Sequence, residues 1–69
     1  MRDNIFGERL KDLRIEKALS QVKLAKEIDV SKSMISSYEI GTNEPTLSRL
    51  ISIAQFFGVS IDYLAGLED

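Results

Sequence analysis

The chain of 69 residues contains no cysteine, no histidine and no tryptophan, and it has only one proline and four glycines. It therefore lacks the thiolate and imidazole groups that hold most zinc sites and that serve in Cys- or His-based nucleophilic catalysis. A disulfide scaffold is excluded as well. We expect one small domain, residues 1–69, that apolar packing alone must hold together.

Long hydrophobic runs are also missing from the sequence. No apolar run exceeds four residues, whereas a helix that spans a bilayer needs about 20. The N-terminus has no apolar stretch of the kind found in signal peptides. The sequence therefore predicts a soluble, cytoplasmic protein with no membrane partner.

The chain has no excess of positive charge, because nine Lys and Arg stand against eleven Asp and Glu. A net charge of −2 argues, at first sight, against nucleic acid as a partner. The charges are unevenly placed, however. Residues 9–43 hold seven Lys and Arg against five acidic residues, whereas residues 44–69 hold one against four. A nucleic-acid partner at the central segment is therefore compatible with the charge, although we expect its sequence-independent affinity to be modest.

Apolar residues make up 43% of the chain and recur at spacings of three and four, the period of amphipathic helices. Serine or threonine precedes four of these segments and glycine follows three, as expected of helix caps. The pattern predicts an all-α fold, a compact five-helix bundle with helices at about 5–16, 21–28, 32–39, 47–57 and 60–66. In the fourth helix the predicted inward stripe is Leu47, Leu50, Ile53, Ala54 and Phe57.

Residues 21–40 have the features of two short helices joined by a tight turn. Helices that cross steeply need a small side chain at their contact, and the turn needs a residue that tolerates a positive φ. Ala25 supplies the small side chain and Asp29 lies in the turn, while Val30 and Ile35 can fill the corner between the helices. Each feature alone is common, but their order favours a helix-turn-helix.

A larger ordered set of residues extends this pattern over nearly the whole chain: Arg14, Ser20, Gln21, Leu24, Ala25, Val30, Ser31, Ile35, Glu39, Gly41 and the segment 58–64. In these residues the chain resembles the phage-repressor and Cro type of helix-turn-helix protein, also called the xenobiotic-response-element family. The resemblance implies a lambda-repressor-like fold whose third helix enters the DNA major groove, with the second lying across it near the phosphates. It also implies a symmetric dimer.

Three positions depart from the family pattern. Asp29 stands where the turn usually has glycine, which is tolerable because Asp enters the left-handed region more readily than most residues. Ile40 stands where some members have a polar residue that meets phosphate, so that contact is not expected here. The loop 42–44 has no lysine or arginine, and we expect a weaker grip on phosphate than in relatives with a basic loop.

The polar residues of the third helix are candidates for reading bases. They occupy outward positions near its start: Lys32, Ser33, Ser36 and Ser37. The Lys32 ammonium could donate to O6 and N7 of guanine, whereas serine hydroxyls bond to several base edges and discriminate weakly. From spacing alone the same residues could form a solvated polar face, and the resemblance favours DNA contact. Met34 could cover a thymine methyl or lie on the free surface.

Contacts to phosphate are assigned to Gln21, Ser31 and Asn43. Gln21 resembles the glutamine with which family members bond phosphate and steady a recognition-helix side chain, although it could be a surface residue beside a cap. The resemblance also implies a partly buried ion pair of Arg14 with Glu39 that joins the first helix to the third.

Phe56, Ile61 and Tyr63 are apolar residues that the inward stripes of the last two helices do not obviously use. They suggest a homodimer patch, because a two-fold interface repeats one surface on both subunits. They could instead close the far side of a very small core.

The function expected is that of a sequence-specific regulator of transcription, a repressor that binds operator half-sites in double-stranded DNA as a homodimer. The alternative is a protein-interaction module, antitoxin-like or anti-repressor, on the same fold. An enzyme is not expected. Without His or Cys, catalysis would need a Ser–Lys pair or two carboxylates, and Lys32 with Ser36 is the only helical pair within reach. We also expect no deep pocket in a five-helix domain this small. No cofactor and no metal are expected. The chain could be a free-standing regulator or the DNA-binding part of a longer one.

Overall fold

The computed structural model describes residues 4–68, which form five α-helices and no strand. The helices are α1 (Ile5–Glu16), α2 (Gln21–Glu27), α3 (Lys32–Ile40), α4 (Leu47–Phe57) and α5 (Ile61–Ala65). The radius of gyration is 10.6 Å, close to the value of about 11 Å expected for a compact chain of this length. The predicted all-α, five-helix architecture is confirmed, although α2 is one residue shorter, α3 is one residue longer and α5 is one residue shorter at each end than the sequence indicates.

Side-chain caps begin four of the five helices. The hydroxyl oxygens of Ser20, Ser31, Thr46 and Ser60 each accept a hydrogen bond from the backbone N–H three residues later. Each bond satisfies one of the amide groups that a helix N-terminus leaves unpaired, and such a cap contributes about 1 kcal/mol. Gly41 ends α3 in the left-handed conformation at φ 98°, a conformation that costs glycine little. Helix boundaries thus follow from local chemistry.

Every helix contributes one fully buried side chain to the core: Leu10, Leu24, Ile35, Ile53 and Leu64. Burying a Leu or Ile side chain is worth about 1.5–3 kcal/mol. Phe6 and Tyr38 add an edge-to-face contact between α1 and α3, with ring centroids 5.4 Å apart. The core therefore ties the two helices of the predicted helix-turn-helix to α1, α4 and α5.

The prediction that Leu47 points inward is wrong, because its side chain is 68% exposed. Leu50, Ile53 and Ala54 of the same stripe are buried. Leu47 is the first residue of α4. Spacing gives the direction of a side chain about the helix axis, but it does not tell whether a neighbouring helix covers the first turn.

The turn between α2 and α3 has the strained residue that the sequence places there. Asp29 adopts φ 59°, and the Val30 N–H then donates to the Ala25 carbonyl at 2.9 Å. Val30 is half-buried against the core, and Ala25 is buried. This turn sets α3 beside α2 with its outward face open.

None of the helices within residues 4–68 has the length and apolar character needed to cross a bilayer.

Candidate nucleic-acid interface

The outward side of α3 carries the four residues proposed to read bases. At 3.6 residues per turn they share one sector of the helix, opposite the buried Ile35 and Tyr38: Lys32, Ser33, Ser36 and Ser37. Lys32 and Ser33 are exposed, while Ser36 and Ser37 are half-buried. The sector offers one ammonium group and three hydroxyl groups, which can donate and accept hydrogen bonds at base edges.

Ile40 shares that outward sector, and the sequence assigned it no role. It lies one and two turns beyond Ser36 and Lys32, at the last position of α3, and its side chain is 68% exposed. An apolar group there can contact sugar or a thymine methyl, although it cannot hydrogen-bond to phosphate. The helical period alone indicates this placement.

The three residues assigned to phosphate lie near the beginning of α2 and around α3. The Ser31 hydroxyl oxygen accepts from the Met34 N–H at 3.0 Å, and its own proton remains able to donate. In the loop after α3, the Asn43 side-chain nitrogen lies 3.7 Å from the Met34 sulfur. This contact turns the Asn43 amide toward α3 and holds the exposed Met34 beside the loop.

Gln21, the first residue of α2, forms a hydrogen bond to a side chain of α3. Its side-chain nitrogen donates to Glu39 Oε1 at 3.1 Å, so Gln21 joins α2 to the last turn of α3. The two residues are 18 positions apart. No local pattern in the sequence pairs them. The family resemblance implies that Gln21 steadies a side chain of this helix, but it does not name Glu39.

Arg14 and Glu39 form a bidentate ion pair between α1 and α3. Arg14 Nε donates to Glu39 Oε2 at 2.7 Å, and Arg14 Nη2 donates to Glu39 Oε1 at 3.0 Å. Arg14 Nη1 donates in addition to the Leu19 carbonyl at 2.9 Å. The side chains are only 13% and 5% exposed, so the pair lies in a partly desolvated site where charged hydrogen bonds are strong.

The hydrogen bond to Glu39 raises the pKa of the Arg14 guanidinium, and the Glu39 charge acts in the same direction against the effect of burial. Arg14 therefore stays charged. Glu39 receives hydrogen bonds from α1 through Arg14 and from α2 through Gln21. These three side chains, Arg14, Gln21 and Glu39, are called the Glu39 network below.

A second polar link ties the turn of the helix-turn-helix to α4. Arg49 Nη1 donates to the Ile28 carbonyl at 2.9 Å, at the C-terminal end of α2. A cation at that end is favourable, because the carbonyl groups there carry partial negative charge. No local pattern in the sequence indicates this contact, because 21 residues separate the partners.

The residues of the suggested dimer patch are half-buried and pack against the core: Phe56, Ile61 and Tyr63. Phe56 lies edge-to-face on Phe57, with centroids 4.9 Å apart. The Arg9 guanidinium carbon lies 4.3 Å from the centre of the Tyr63 ring. The structure thus gives these residues a role within the chain and leaves part of each accessible.

The site suits recognition by hydrogen bonds and charge. Its polar groups lie on an open helix face, and residues 4–68 contain no cluster of three or more acidic side chains placed to hold a metal ion. Helices α2 and α3 each begin with a serine-capped N-terminus, which carries partial positive charge. Such an arrangement matches an anionic, hydrogen-bonding ligand such as a nucleic-acid backbone.

The model of a family described as helix-turn-helix matches residues 10–64. Among similar proteins, the uncharacterized HTH-type transcriptional regulator YobD of Bacillus subtilis is 35% identical over 65 residues, which cover 94% of this chain and 58% of the relative. The cryptic phage CTXphi transcriptional repressor RstR of Vibrio cholerae is 39% identical over 57 residues, or 83% and 51% of the two chains.

A third relative, the HTH-type transcriptional activator BcrR of Enterococcus faecalis, is 41% identical over 64 residues, which cover 93% of this chain and 31% of the relative. The chain spans little more than half the length of the curated relatives it matches first. No solved structure matches it.

Proposed function

The chain belongs to the helix-turn-helix family, and from that membership we propose that it is a sequence-specific, double-stranded-DNA-binding regulator of transcription that acts as a repressor. Relatives whose names describe a phage repressor and an immunity repressor support repression. The observation that carries the proposal is the Glu39 network, which fixes an α3 whose polar face is open. The proposal includes no catalysis, and it places the protein in the cytoplasm.

In this proposal α3 lies in the major groove and reads bases with its outward sector. Lys32 is the main reader, because its ammonium can donate to O6 and N7 of guanine. Ser33, Ser36 and Ser37 bond to base edges with less discrimination. The exposure of Lys32 and Ser33 supports this assignment.

Phosphate contacts come from Gln21, Ser31 and Asn43 at the edges of the helix pair. Gln21 heads α2, where backbone N–H groups and the helix dipole favour an anion. Ser31 can donate its hydroxyl proton while its oxygen caps α3. The loop 42–44 has no basic residue, so fewer counterions are released on binding than with a basic loop, and the salt dependence is correspondingly shallow.

We propose further that the protein binds as a homodimer through the accessible parts of Phe56, Ile61 and Tyr63. Two copies then read half-sites about 34 Å apart, one helical turn of DNA. A dimer doubles the phosphate and base contacts. It thereby compensates for a chain whose net charge of −2 gives little sequence-independent affinity.

Selection of binding sites from randomised duplex DNA, at about 0.15 M salt, tests the proposal. We expect enrichment of a palindromic sequence with half-sites one helical turn apart. Failure to enrich any sequence over competitor DNA would overturn it. Specific capture of one protein partner in place of DNA would point to the protein-interaction module.

A variant sharpens the test at the proposed main reader. Lys32→Ala should weaken binding to the selected site by about 5- to 150-fold, the loss expected of one good base contact of about 1–3 kcal/mol. Its selected sequence should become degenerate at one base pair per half-site. Lys11→Ala, which removes an exposed lysine on α1, is the matched control. Equal effects of both variants at every position would show that Lys32 contributes charge alone.

A further inference from the structure

Asn4, which precedes α1, does not cap its own helix. It adopts the left-handed conformation, φ 54° and ψ 32°, and its side chain forms no capping bond, in contrast to the serine and threonine caps of the other four described helices. Its side-chain nitrogen instead donates to the Glu39 carbonyl at 3.0 Å, across 35 residues. The Asn4 side chain therefore serves another helix.

Two glycines make room for this contact. A β-carbon on Gly7 would lie 2.4 Å from Asn4 Oδ1 and 2.2 Å from the Tyr38 carbonyl oxygen, and one on Gly41 would lie 2.8 Å from Asn4 Cγ. Any side chain at either position would displace the Asn4 amide or the backbone of α3. The amide thus occupies a narrow space between the first turn of α1 and the residue that ends α3.

The Glu39 carbonyl belongs to the last turn of α3, where the helix itself provides no partner. The Ser37 carbonyl in that turn accepts from the N–H groups of Gly41 and Thr42. Asn4 supplies the corresponding hydrogen bond to Glu39 from outside the helix. Glu39 is consequently held at its main chain by Asn4, and at its side chain by Arg14 and Gln21.

We propose that Asn4 is a positioning residue that fixes the angle at which α3 meets DNA. The inference rests on the proposed function, because the angle matters only if α3 reads bases. A hydrogen bond at the far end of α3 acts as a lever on the reading residues near its start, since the helix between them is rigid. Asn4 itself needs no contact with DNA to exert this effect.

The variant Asn4→Gly separates the amide from the backbone conformation. Glycine adopts a positive φ readily, so the turn before α1 is kept while the donor to Glu39 is removed. We expect affinity for the selected DNA site to fall about fivefold to tenfold, the latter corresponding to about 1.4 kcal/mol. Affinity for non-specific DNA should stay unchanged, because phosphate contacts tolerate a small tilt.

Ala18→Gly is the matched control. Ala18 has a similar positive φ of 56° after α1, and the substitution there changes backbone freedom without removing a bond to α3. The control should keep the ratio of specific to non-specific affinity. An equal ratio in Asn4→Gly and the control would overturn the positioning role.

A readout without DNA keeps this inference separate from the proposed function. The carbonyl ¹³C shift of Glu39 reports the hydrogen bond from Asn4. The hydrogen-exchange rates of the last α3 amides report how firmly that bond holds the end of the helix. Both should change in Asn4→Gly and stay constant in Ala18→Gly. If both signals stay constant in both variants, the Asn4–Glu39 hydrogen bond is refuted, even where wild-type protein binds DNA. If both signals change in Asn4→Gly but wild-type protein selects no DNA, the Asn4–Glu39 hydrogen bond is confirmed and the proposed function fails. The positioning role is then overturned as well.

Discussion

The two sides of the molecule are held together by different interactions. Where α1 meets α3, directional hydrogen bonds run from Asn4 to the Glu39 carbonyl and from Arg14 to the Glu39 carboxylate, beside the ring contact of Phe6 with Tyr38. Where α4 meets α5, apolar side chains carry the contact, with Ile53 and Leu64 fully buried in the core and Phe56, Phe57 and Ile61 packed against it. Directional bonds fix an angle, whereas apolar contacts tolerate small shifts. The α1–α3 junction is therefore the side suited to a helix that must meet a ligand at one orientation.

The largest effect is expected from Arg14→Ala, which breaks the junction at its charged pair. Glu39, whose side chain is 5% exposed in the intact protein, loses its cation and keeps only the Gln21 amide bonded to its carboxylate. Removing one partner of a buried pair costs about 3–5 kcal/mol, and partial exposure here favours the low end, about 3 kcal/mol. Urea denaturation measures the loss of unfolding free energy.

DNA affinity of folded Arg14→Ala should fall as well, since α3 loses its tie to α1. The exposed Lys11 on the same helix provides a control, because Lys11→Ala should change stability by less than about 0.5 kcal/mol. Wild-type stability and affinity in Arg14→Ala would show that the pair contributes nothing to the junction.

A smaller effect is expected from Gly7→Ala, which tests how closely α1 and α3 approach. The added β-carbon would lie 2.2 Å from the Tyr38 carbonyl oxygen, so the helices must separate. Overpacking costs about 1–3 kcal/mol, which exceeds the gain of about 1 kcal/mol in helix propensity. We expect a net loss near 1 kcal/mol, measured by thermal unfolding, together with weaker binding to the selected DNA.

Gly58→Ala gives the comparison from the other side of the molecule. A β-carbon there meets nothing within 4 Å, and the cost arises only from φ 69°. Gly58→Ala should also lower the free energy of unfolding by about 1 kcal/mol, but it should keep wild-type affinity for DNA. If both glycine variants bind DNA alike, the close approach of α1 to α3 has no bearing on recognition.

The smallest effects are expected from removing single caps, Ser31→Ala at α3 and Ser60→Ala at α5. Each hydroxyl accepts one backbone N–H, and each loss should cost about 1 kcal/mol or less. Only Ser31→Ala should also weaken DNA binding, by the loss of one phosphate contact. Calorimetry and DNA titration of both variants test this, and equal affinities would remove Ser31 from the interface.

Much of the fold could be predicted from the sequence, because helix formation here follows local rules. Ser20, Ser31 and Thr46 mark helix starts within three residues of the amides they accept from, and the spacing of apolar residues places Leu24 and Ile35 inside. Leu47 is the exception. Its direction follows the stripe, but cover over the first turn of α4 depends on other helices, and a local pattern contains no information about them.

The sequence alone predicts the five helices, the side-chain caps of four of them, the left-handed turn at Asp29 and the polar sector that begins at Lys32. The contacts that hold this sector form only when distant parts of the chain come together. The bonds of Asn4 and Gln21 to Glu39 span 35 and 18 residues, and the exposure of Ile40 shows that no part of residues 4–68 covers this end of the sector. A helix cap or a helical stripe depends on residues at most four positions apart. A donor such as Asn4 meets its acceptor only after the chain has folded.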